Sequence, residues 1–361
     1  MADEKIHKFI FYIVIVFIPI VCAYSIWIGP QVDWNFYLTA WEYFVNGQNP
    51  YILPDPPNPF LPCYYPLGFL SFSIFYYIYP LLPKALFCIS WLGTGLLINK
   101  ICRKYKVTNG NTLLYSGLII VNPYYGVIVM VSGHYDVLVG LCVFLAVYSI
   151  ERYAQIRAGL YIACAFLLKF VGLIILFPIT ILKKKLNWKT AVMAVGISGI
   201  IYLFGYFVWG TSVFFPFTSQ LFREGSGSSI YAFFENILGI DLTPFIIPIL
   251  IGGCAIVSIF LYFQNTDIST YCLILLIGFS LVFQTFYLQY TLWYWPLVIY
   301  WSITHKNALK WTMVLYFSII GFPLYYYWWS PYLSIITFVA SLIFIVLLFL
   351  NRERGNAIQK N

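Results

Sequence analysis

Five short stretches hold the residues whose types and spacing could do chemistry. In "GPQVDWNFY", Asp33 follows the first apolar run directly and stands among aromatic neighbours, Trp34 and Tyr37. A carboxylate at a membrane boundary is partly desolvated, which raises its proton affinity and suits a general base. It can equally cap the free N–H groups at a helix start. In "GHYDVL", His134 and Asp136 stand where a second apolar run begins. Asp136 can serve as a helix N-terminal acid, or the pair can reach the same cavity as Asp33. Lys169 interrupts the apolar run "AGLYIACAFLLKFVGLIILFPITIL" with no acid close in sequence. A lysine at that depth requires an anion or a water-filled cavity. The alternatives are snorkelling to the interface or pairing with Asp136 or Glu235. Arg223, in "REGSGSS", can close over a ligand or pair with its neighbour Glu224. Cations of this kind suit a phosphate. In "FQTFYLQYTLWYWPLVIYW", Gln284, Gln289 and Tyr290 can bind hydroxyls. Trp293 and Trp295 can stack on a sugar or a lipid, or belong to an interfacial aromatic belt.

What must position these residues follows from composition. The 361 residues are 62% hydrophobic and 9% charged, with mean hydropathy +0.85. Repeated apolar runs of about 17–22 residues each match a hydrocarbon core of ~30 Å at ~1.5 Å per residue. The fold class is therefore an all-α polytopic membrane protein, and an alternating β-barrel is excluded. The net charge of +8 fits Lys and Arg gathered on the cytoplasmic side, with no nucleic-acid partner implied. The cysteines lie mostly inside apolar runs without metal-binding spacing and read as core residues; Cys63 alone is clearly in a loop. The run from Phe9 to Gly29 is too long for a signal peptide and reads as a retained first helix.

Apolar runs fall near 9–29, 66–82, 85–100, 111–130, 135–150, 158–182, 190–208, 244–263, 268–287, 289–303, 309–327 and 332–350. Two of them conflict with the positive-inside rule if read as simple spans. A full crossing by 66–82 would put Lys100, Arg103, Lys104 and Lys106 outside, so this proline-bracketed run reads as an interfacial or re-entrant helix. One crossing by 158–182 would put Lys183, Lys184 and Lys185 outside, so it reads as two short helices in a hairpin split at Lys169. The expectation is about 12 transmembrane helices in one domain, 1–361, with both termini cytoplasmic. All Lys and Arg except Lys84, Lys169 and Arg223 then lie inside. The polar loops 30–66 and 209–243 both face outward. No internal repeat of the secondary-transporter kind is visible. No Asp-x-Asp pair, His-Glu-x-x-His, phosphate-binding glycine loop or Ser/His/Asp order is present, so no metal or other cofactor is indicated.

Taken in order, the motifs resemble those of the polyprenol-phosphate-sugar-dependent membrane glycosyltransferases, superfamily C. Asp33, then Gly47-Gln48-Asn49-Pro50-Tyr51, then Tyr65-Pro66 resemble that family's first outer loop. "NPYYGVIVMVSGHYDVLVGL" is similar to its Asn-Pro followed by Gly-Gln-x-Asp, and "RAGLYIACAFLLKFVGLIILFP" to its Ala-Gly…Lys…Pro hairpin. "SIYAFFENILG" and "LQYTLWYWPL" resemble later segments, the second being similar to Gln-Tyr-x-x-Trp-x-x-Pro. The chain departs from the pattern at His134, where the family often has Gln, at Phe170, where it often has Pro, and at Asn35, where many relatives carry a second acid. The most similar subgroup is the mannosyltransferases related to the first glycosylphosphatidylinositol mannosyltransferase and to bacterial and archaeal phospholipid mannosyltransferases.

The resemblance implies an inverting transferase that moves a sugar, mannose by the subgroup, from a polyprenyl or dolichyl phosphate to a lipid or glycan acceptor. The reaction would take place at the extracellular or lumenal face of a plasma or endoplasmic-reticulum membrane. The first outer loop would form juxtamembrane helices, and Asp33 would be the base. Lys169, Arg223, His134, Asp136, Tyr65, Gln289 and Tyr290 would bind substrate, and an accessory subunit could join. A lipid-linked sugar translocase without transfer chemistry is the alternative, and a structural subunit of a larger membrane complex is a third.

Overall fold

The computed structural model describes residues 2–29, 32–51, 66–182, 185–221, 226–227, 234, 238–240, 242, 245–264, 266–283, 285–286, 288–305, 308–320 and 331–350. They fold almost wholly into helices. The first five are α1 (Ala2–Trp27), α2 (Val32–Val45), α3 (Pro66–Ile78), α4 (Leu82–Lys104) and α5 (Asn109–Ile120). A single turn, α6 (Pro123–Tyr125), runs into a π-helical turn at Gly126–Val131. Then come α7 (Asp136–Ile150), α8 (Gln155–Leu168), α9 (Val171–Thr180), α10 (Trp188–Trp209) and α11 (Phe215–Leu221). The last are α12 (Ile246–Phe263), α13 (Ile268–Val282), α14 (Trp295–Thr304), α15 (Ala308–Ile320) and α16 (Pro331–Leu350).

Among the described residues three helices are long and apolar enough to cross a membrane: Glu4–Trp27, Leu82–Lys104 and Trp188–Thr218. Several shorter apolar helices accompany them. The outward residues of α1 and α10 are themselves apolar, Phe11, Tyr12, Val16 and Ile20 on one and Val195, Ile200, Leu203 and Phe207 on the other. Such faces suit hydrocarbon, and the apolar helices point to a chain embedded in a membrane. The core lies elsewhere. The described side chains of α14 are almost all buried, as are those of α13, and α7 buries most of its length.

The expected first helix is present and integrated. Along α1, His7 and Asn99 hydrogen-bond across to α4, and Ser25 Oγ donates to Met130 O at 2.7 Å. The proline-bracketed run 66–82 gives α3, 13 residues long. That is about 20 Å of helix, short of the hydrocarbon thickness. The run 158–182 is divided as expected. Lys169 ends α8 in an extended conformation (φ −153°, ψ 152°), and α9 restarts at Val171. The two helices press together so closely that a Cβ on Gly172 would stand 2.4 Å from Ile162 O. A two-residue antiparallel pairing, Ile181 opposite Leu186, turns the chain back after α9.

Two expectations need correction. The run 111–130 is not one span. It breaks at Asn122–Pro123, because proline has no N–H for the helix ladder and its ring clashes with the preceding turn. The run 289–303 is likewise split, into a 3-10 turn at Leu288–Trp293 and α14, with Pro296 in the first turn of α14. The cysteines behave as expected of packing residues. Among the described residues Cys88, Cys102 and Cys272 are buried free thiols; Cys63 lies outside the described residues.

Close backbone approach fixes the position of the 3-10 turn. A Cβ on Gly140 of α7 would stand 1.9 Å from Leu292 O, so only glycine lets Leu288–Trp293 lie against α7. Gly140→Ala should destabilise the protein by about 1–3 kcal/mol through forced separation of these elements. The check is thermal unfolding in detergent, in which Gly117→Ala, a substitution meeting only ordinary contact with Val121, should leave the midpoint nearly unchanged.

Candidate functional site

At one end of the bundle the C-terminus of α1, the first turns of α2, α4 and α7, the α8–α9 break and the 3-10 turn meet. Gly133, with φ +74°, reverses the chain between the π-helical turn and α7. A Cβ there would lie 2.5 Å from Trp34 Cε3, so the turn is both left-handed and closely covered by α2. It delivers His134, Tyr135 and Asp136 in succession.

Asp136 opens α7 and has no solvent exposure. A carboxylate in the first turn complements the partial positive charge there, so the capping role and the polar-pair role coincide in one residue. Its Oδ1 accepts from Lys169 Nζ at 2.7 Å and from the Trp293 indole N–H. Its Oδ2 faces His134 Nδ1 at 3.8 Å and has no hydrogen-bond partner among the described residues. Lys169, with 16% of its side chain exposed, also stands over three rings: Tyr290 at 5.1 Å, Trp293 at 5.3 Å and Tyr135 at 5.4 Å. Tyr290 and Trp293 are stacked with centroids 4.2 Å apart. Lys169 can reach this cage because the hairpin turn lifts it out of helical geometry at the end of α8.

The α2 side of the cluster is aromatic. Trp34, Tyr37 and Trp41 are buried, and Tyr37 stacks on Trp41. The Tyr37 hydroxyl reaches His134 Nδ1 at 3.5 Å, and its ring meets Tyr135 edge-on at 5.6 Å. Asp33 lies in the first turn of α2, immediately before Trp34 and one turn before Tyr37.

Lys84, which the sequence placed among three outward cations without a role, is the residue that sequence reasoning missed. It is fully buried in the first turn of α4, and Nζ donates to Gly29 O at 3.0 Å and Val131 O at 3.1 Å. The same ammonium stands 5.8 Å from the Trp34 ring. Cations are favoured at helix C-termini, and this one joins the ends of α1 and of the π-helical turn. It thereby fixes the segments that lead to Asp33 and to His134. Its sequence signal is a lysine between Pro83 and an apolar helix, too close to the run to remain in water.

The structure thus brings together His134, Asp136, Lys169, Tyr290 and Trp293 of the expected residues, with Tyr135 added to them. Gln289 is half-buried in the 3-10 turn beside Tyr290. Tyr65, Arg223 and Gln284 lie outside the described residues, as do Glu224 and Glu235. Residues 226–227 pair in parallel with 285–286, Ser226 with Thr285 and Gly227 with Phe286. That sets residues 226–227 beside a stretch that lies only a few positions before Tyr290. Among the described residues no three His, Cys, Asp or Glu side chains are grouped so as to hold a metal ion. Fold and site together define a helical protein whose apolar helices enclose a charged, aromatic-walled cluster at one end. Neither a protein-family model nor a curated protein sequence matches the chain.

The Asp136–Lys169 contact is the alternative pairing left open by the sequence, and it makes the cluster internally neutral when His134 is neutral. Asp136→Asn should leave Lys169 buried among rings without a counter-charge and cost about 3–5 kcal/mol. Adding Lys169→Met should recover a large part of that loss, giving a coupling of about 1–3 kcal/mol in a double-mutant cycle of unfolding free energies. Additive losses would show the two side chains to be energetically independent.

Proposed function

We propose that the chain is a membrane glycosyltransferase that moves a sugar, mannose, from a polyprenyl or dolichyl phosphate to a lipid or glycan acceptor. The reading includes about 12 crossings, counting the short and broken helices, with both termini cytoplasmic and the cluster on the extracellular or lumenal face. The observation that carries it is the convergence of the Asp33-bearing turn of α2 with His134, Asp136, Lys169 and stacked Tyr290 and Trp293.

In this reading the acceptor hydroxyl oxygen attacks the anomeric carbon from the face opposite the phosphate. The bond from that carbon to the phosphate oxygen breaks, the configuration inverts, and Asp33 takes the hydroxyl proton. The leaving group departs as a lipid phosphate. It needs charge stabilisation more than a proton, which Lys169 supplies through an N–H not given to Asp136. The arriving phosphate would compete with Asp136 for Lys169. His134, with Nδ1 3.8 Å from the second carboxylate oxygen, would remain beside Asp136 as the phosphate enters. Tyr290 and Trp293 provide a flat apolar wall for the sugar, Gln289 can bind its hydroxyls, and Tyr65 and Arg223 are further substrate-binding residues in this reading. The donor and acceptor are the partners of this reaction, no cofactor takes part, and an accessory subunit would dock outside the cluster.

A translocase reading draws on the broken helices at Lys169 and Asn122–Pro123, since interrupted helices also line transport sites. The two separate by experiment. Purified protein incubated with polyprenyl-phosphate mannose and total membrane lipids should yield a mannosylated product. Asp33→Asn should lower that yield by at least ~100-fold while donor binding is retained, as expected for loss of a general base. Movement of labelled donor across liposomes without product would establish translocation instead, and undiminished transfer by Asp33→Asn would remove Asp33 as the base.

A further inference from the structure

The opposite end of the same helices carries a second built site. α4 ends at Lys104 and α7 ends at Ile150, and each helix stops in the same way. Val107 N–H bonds back to Cys102 O, and Ala154 N–H bonds back to Ser149 O, both at 3.0 Å. This 6→1 closure places one residue in the left-handed region, a position that glycine usually fills. Here it is filled by Lys106 (φ 52°) and Tyr153 (φ 59°). An L side chain adopts that conformation at a cost. Both side chains point into solvent-accessible space, and Tyr153 is 84% exposed. Packing therefore does not explain their retention in place of glycine.

Between the two helix ends lies a braced set of tyrosines. Lys104 Nζ stands over the Tyr105 ring at 5.5 Å, and the Tyr105 hydroxyl meets that of Tyr300 at 3.4 Å. Tyr300 donates to Glu151 Oε2 and packs edge-on against Tyr148. The Arg152 guanidinium lies over Tyr148 at 4.0 Å. Rings and hydrogen bonds thus link Lys104 to Arg152 through Tyr105, Tyr300 and Tyr148, and both cations are exposed. Among the described residues neither is paired with a carboxylate. Lys100, Arg103, Lys106 and Arg157 are exposed as well. The partial negative charge of two helix ends accounts for about one unit of positive charge, not for six cations.

We propose that Lys104 and Arg152 form a binding site for the phosphate of an anionic phospholipid headgroup, with Tyr153 lying at the headgroup level beside it. Guanidinium and ammonium groups bind phosphate through charge-assisted hydrogen bonds. A tyrosine with an apolar body and a polar tip belongs at a membrane interface. The flanking apolar helices put a leaflet within reach of this face. This site is independent of the sugar-transfer reading and lies at the other end of α4 and α7 from Asp136.

The test is the thermal unfolding of the full chain in a neutral detergent, with phosphatidylglycerol, phosphatidylcholine or inorganic phosphate added. Phosphatidylglycerol should raise the wild-type midpoint by about 3–6 °C, as expected for a ligand held only by the folded state. The other two additions should not. The double variant K104Q/R152Q should unfold near the wild-type midpoint without lipid and lose at least half of the phosphatidylglycerol shift. K189Q, which removes an exposed lysine at the start of α10, should keep it. Native mass spectrometry gives a second readout: wild type should retain phosphatidylglycerol through delipidation and K104Q/R152Q should not. An equal shift in K104Q/R152Q, an equal shift with phosphatidylcholine, or full reproduction by inorganic phosphate would each overturn the proposal.

Discussion

A carboxylate with no exposure to water sets the terms for the rest of the molecule. Moving such a group out of water costs several kcal/mol even after relaxation, so Asp136 must be met by donors from several directions. Lys169 and Trp293 meet one oxygen and His134 faces the other. Each approach requires an interruption of regular structure. Lys169 comes from the break between α8 and α9. Trp293 comes from a 3-10 turn that can lie against α7 only because residue 140 is glycine. His134 comes from the left-handed turn at Gly133. The irregularities of the fold are therefore concentrated around one ion pair, and the regular helices are what hold them in place.

A buried ion pair of this kind is weak evidence for stability, since apolar residues of the same volume often do as well or better. Its persistence argues for what the pair specifies. Aromatic rings surround the Lys169 ammonium, and 16% of the side chain as a whole is exposed. The side chain is thus largely screened from bulk water without being sealed from it. That combination suits a site in which a charged ligand exchanges for an internal partner, and it would be wasted in a core that only needed filling.

Parts of this arrangement were legible in the sequence because the physics acts locally. The positive-inside rule, applied to Lys183, Lys184 and Lys185, divided 158–182, and the lysine in the middle of the apolar run marked the place. The positive-inside rule read 66–82 as less than a full crossing, and α3 is only 13 residues long. The acid at the start of α7 followed from the position of Asp136 before an apolar run. The break at Asn122–Pro123 was equally local, but a continuous apolar run hid it, and hydropathy says nothing about the missing proline N–H. What could not be read is tertiary. Nothing in the chain around Gly140 announces that Leu292 O will lie against it, so neither the seating of the 3-10 turn nor the Trp293–Asp136 bond was visible. The choice among Asp136, Glu235 and solvent as the partner of Lys169 likewise depended on which helix came alongside.

Lys84 shows how the charge of the helices themselves organises the two ends. It has two carbonyl oxygens as hydrogen-bond acceptors, Gly29 O and Val131 O, at the ends of α1 and of the π-helical turn. Helix C-termini carry partial negative charge, so the ammonium is compensated by backbone. The carboxylate of Asp136 is thereby left to the N-terminus of α7 and to Lys169, and the two buried cations do not compete for it. At the far end the polarity is reversed: α4 and α7 finish there and present C-termini to Lys104 and Arg152. Because α7 is 15 residues long, about 22 Å of rigid helix separates the buried, internally paired charges at one end from the exposed, unpaired cations at the other. The same two helices thus hold a site closed to water and a face open to anions, and the direction in which the chain runs through them decides which end is which.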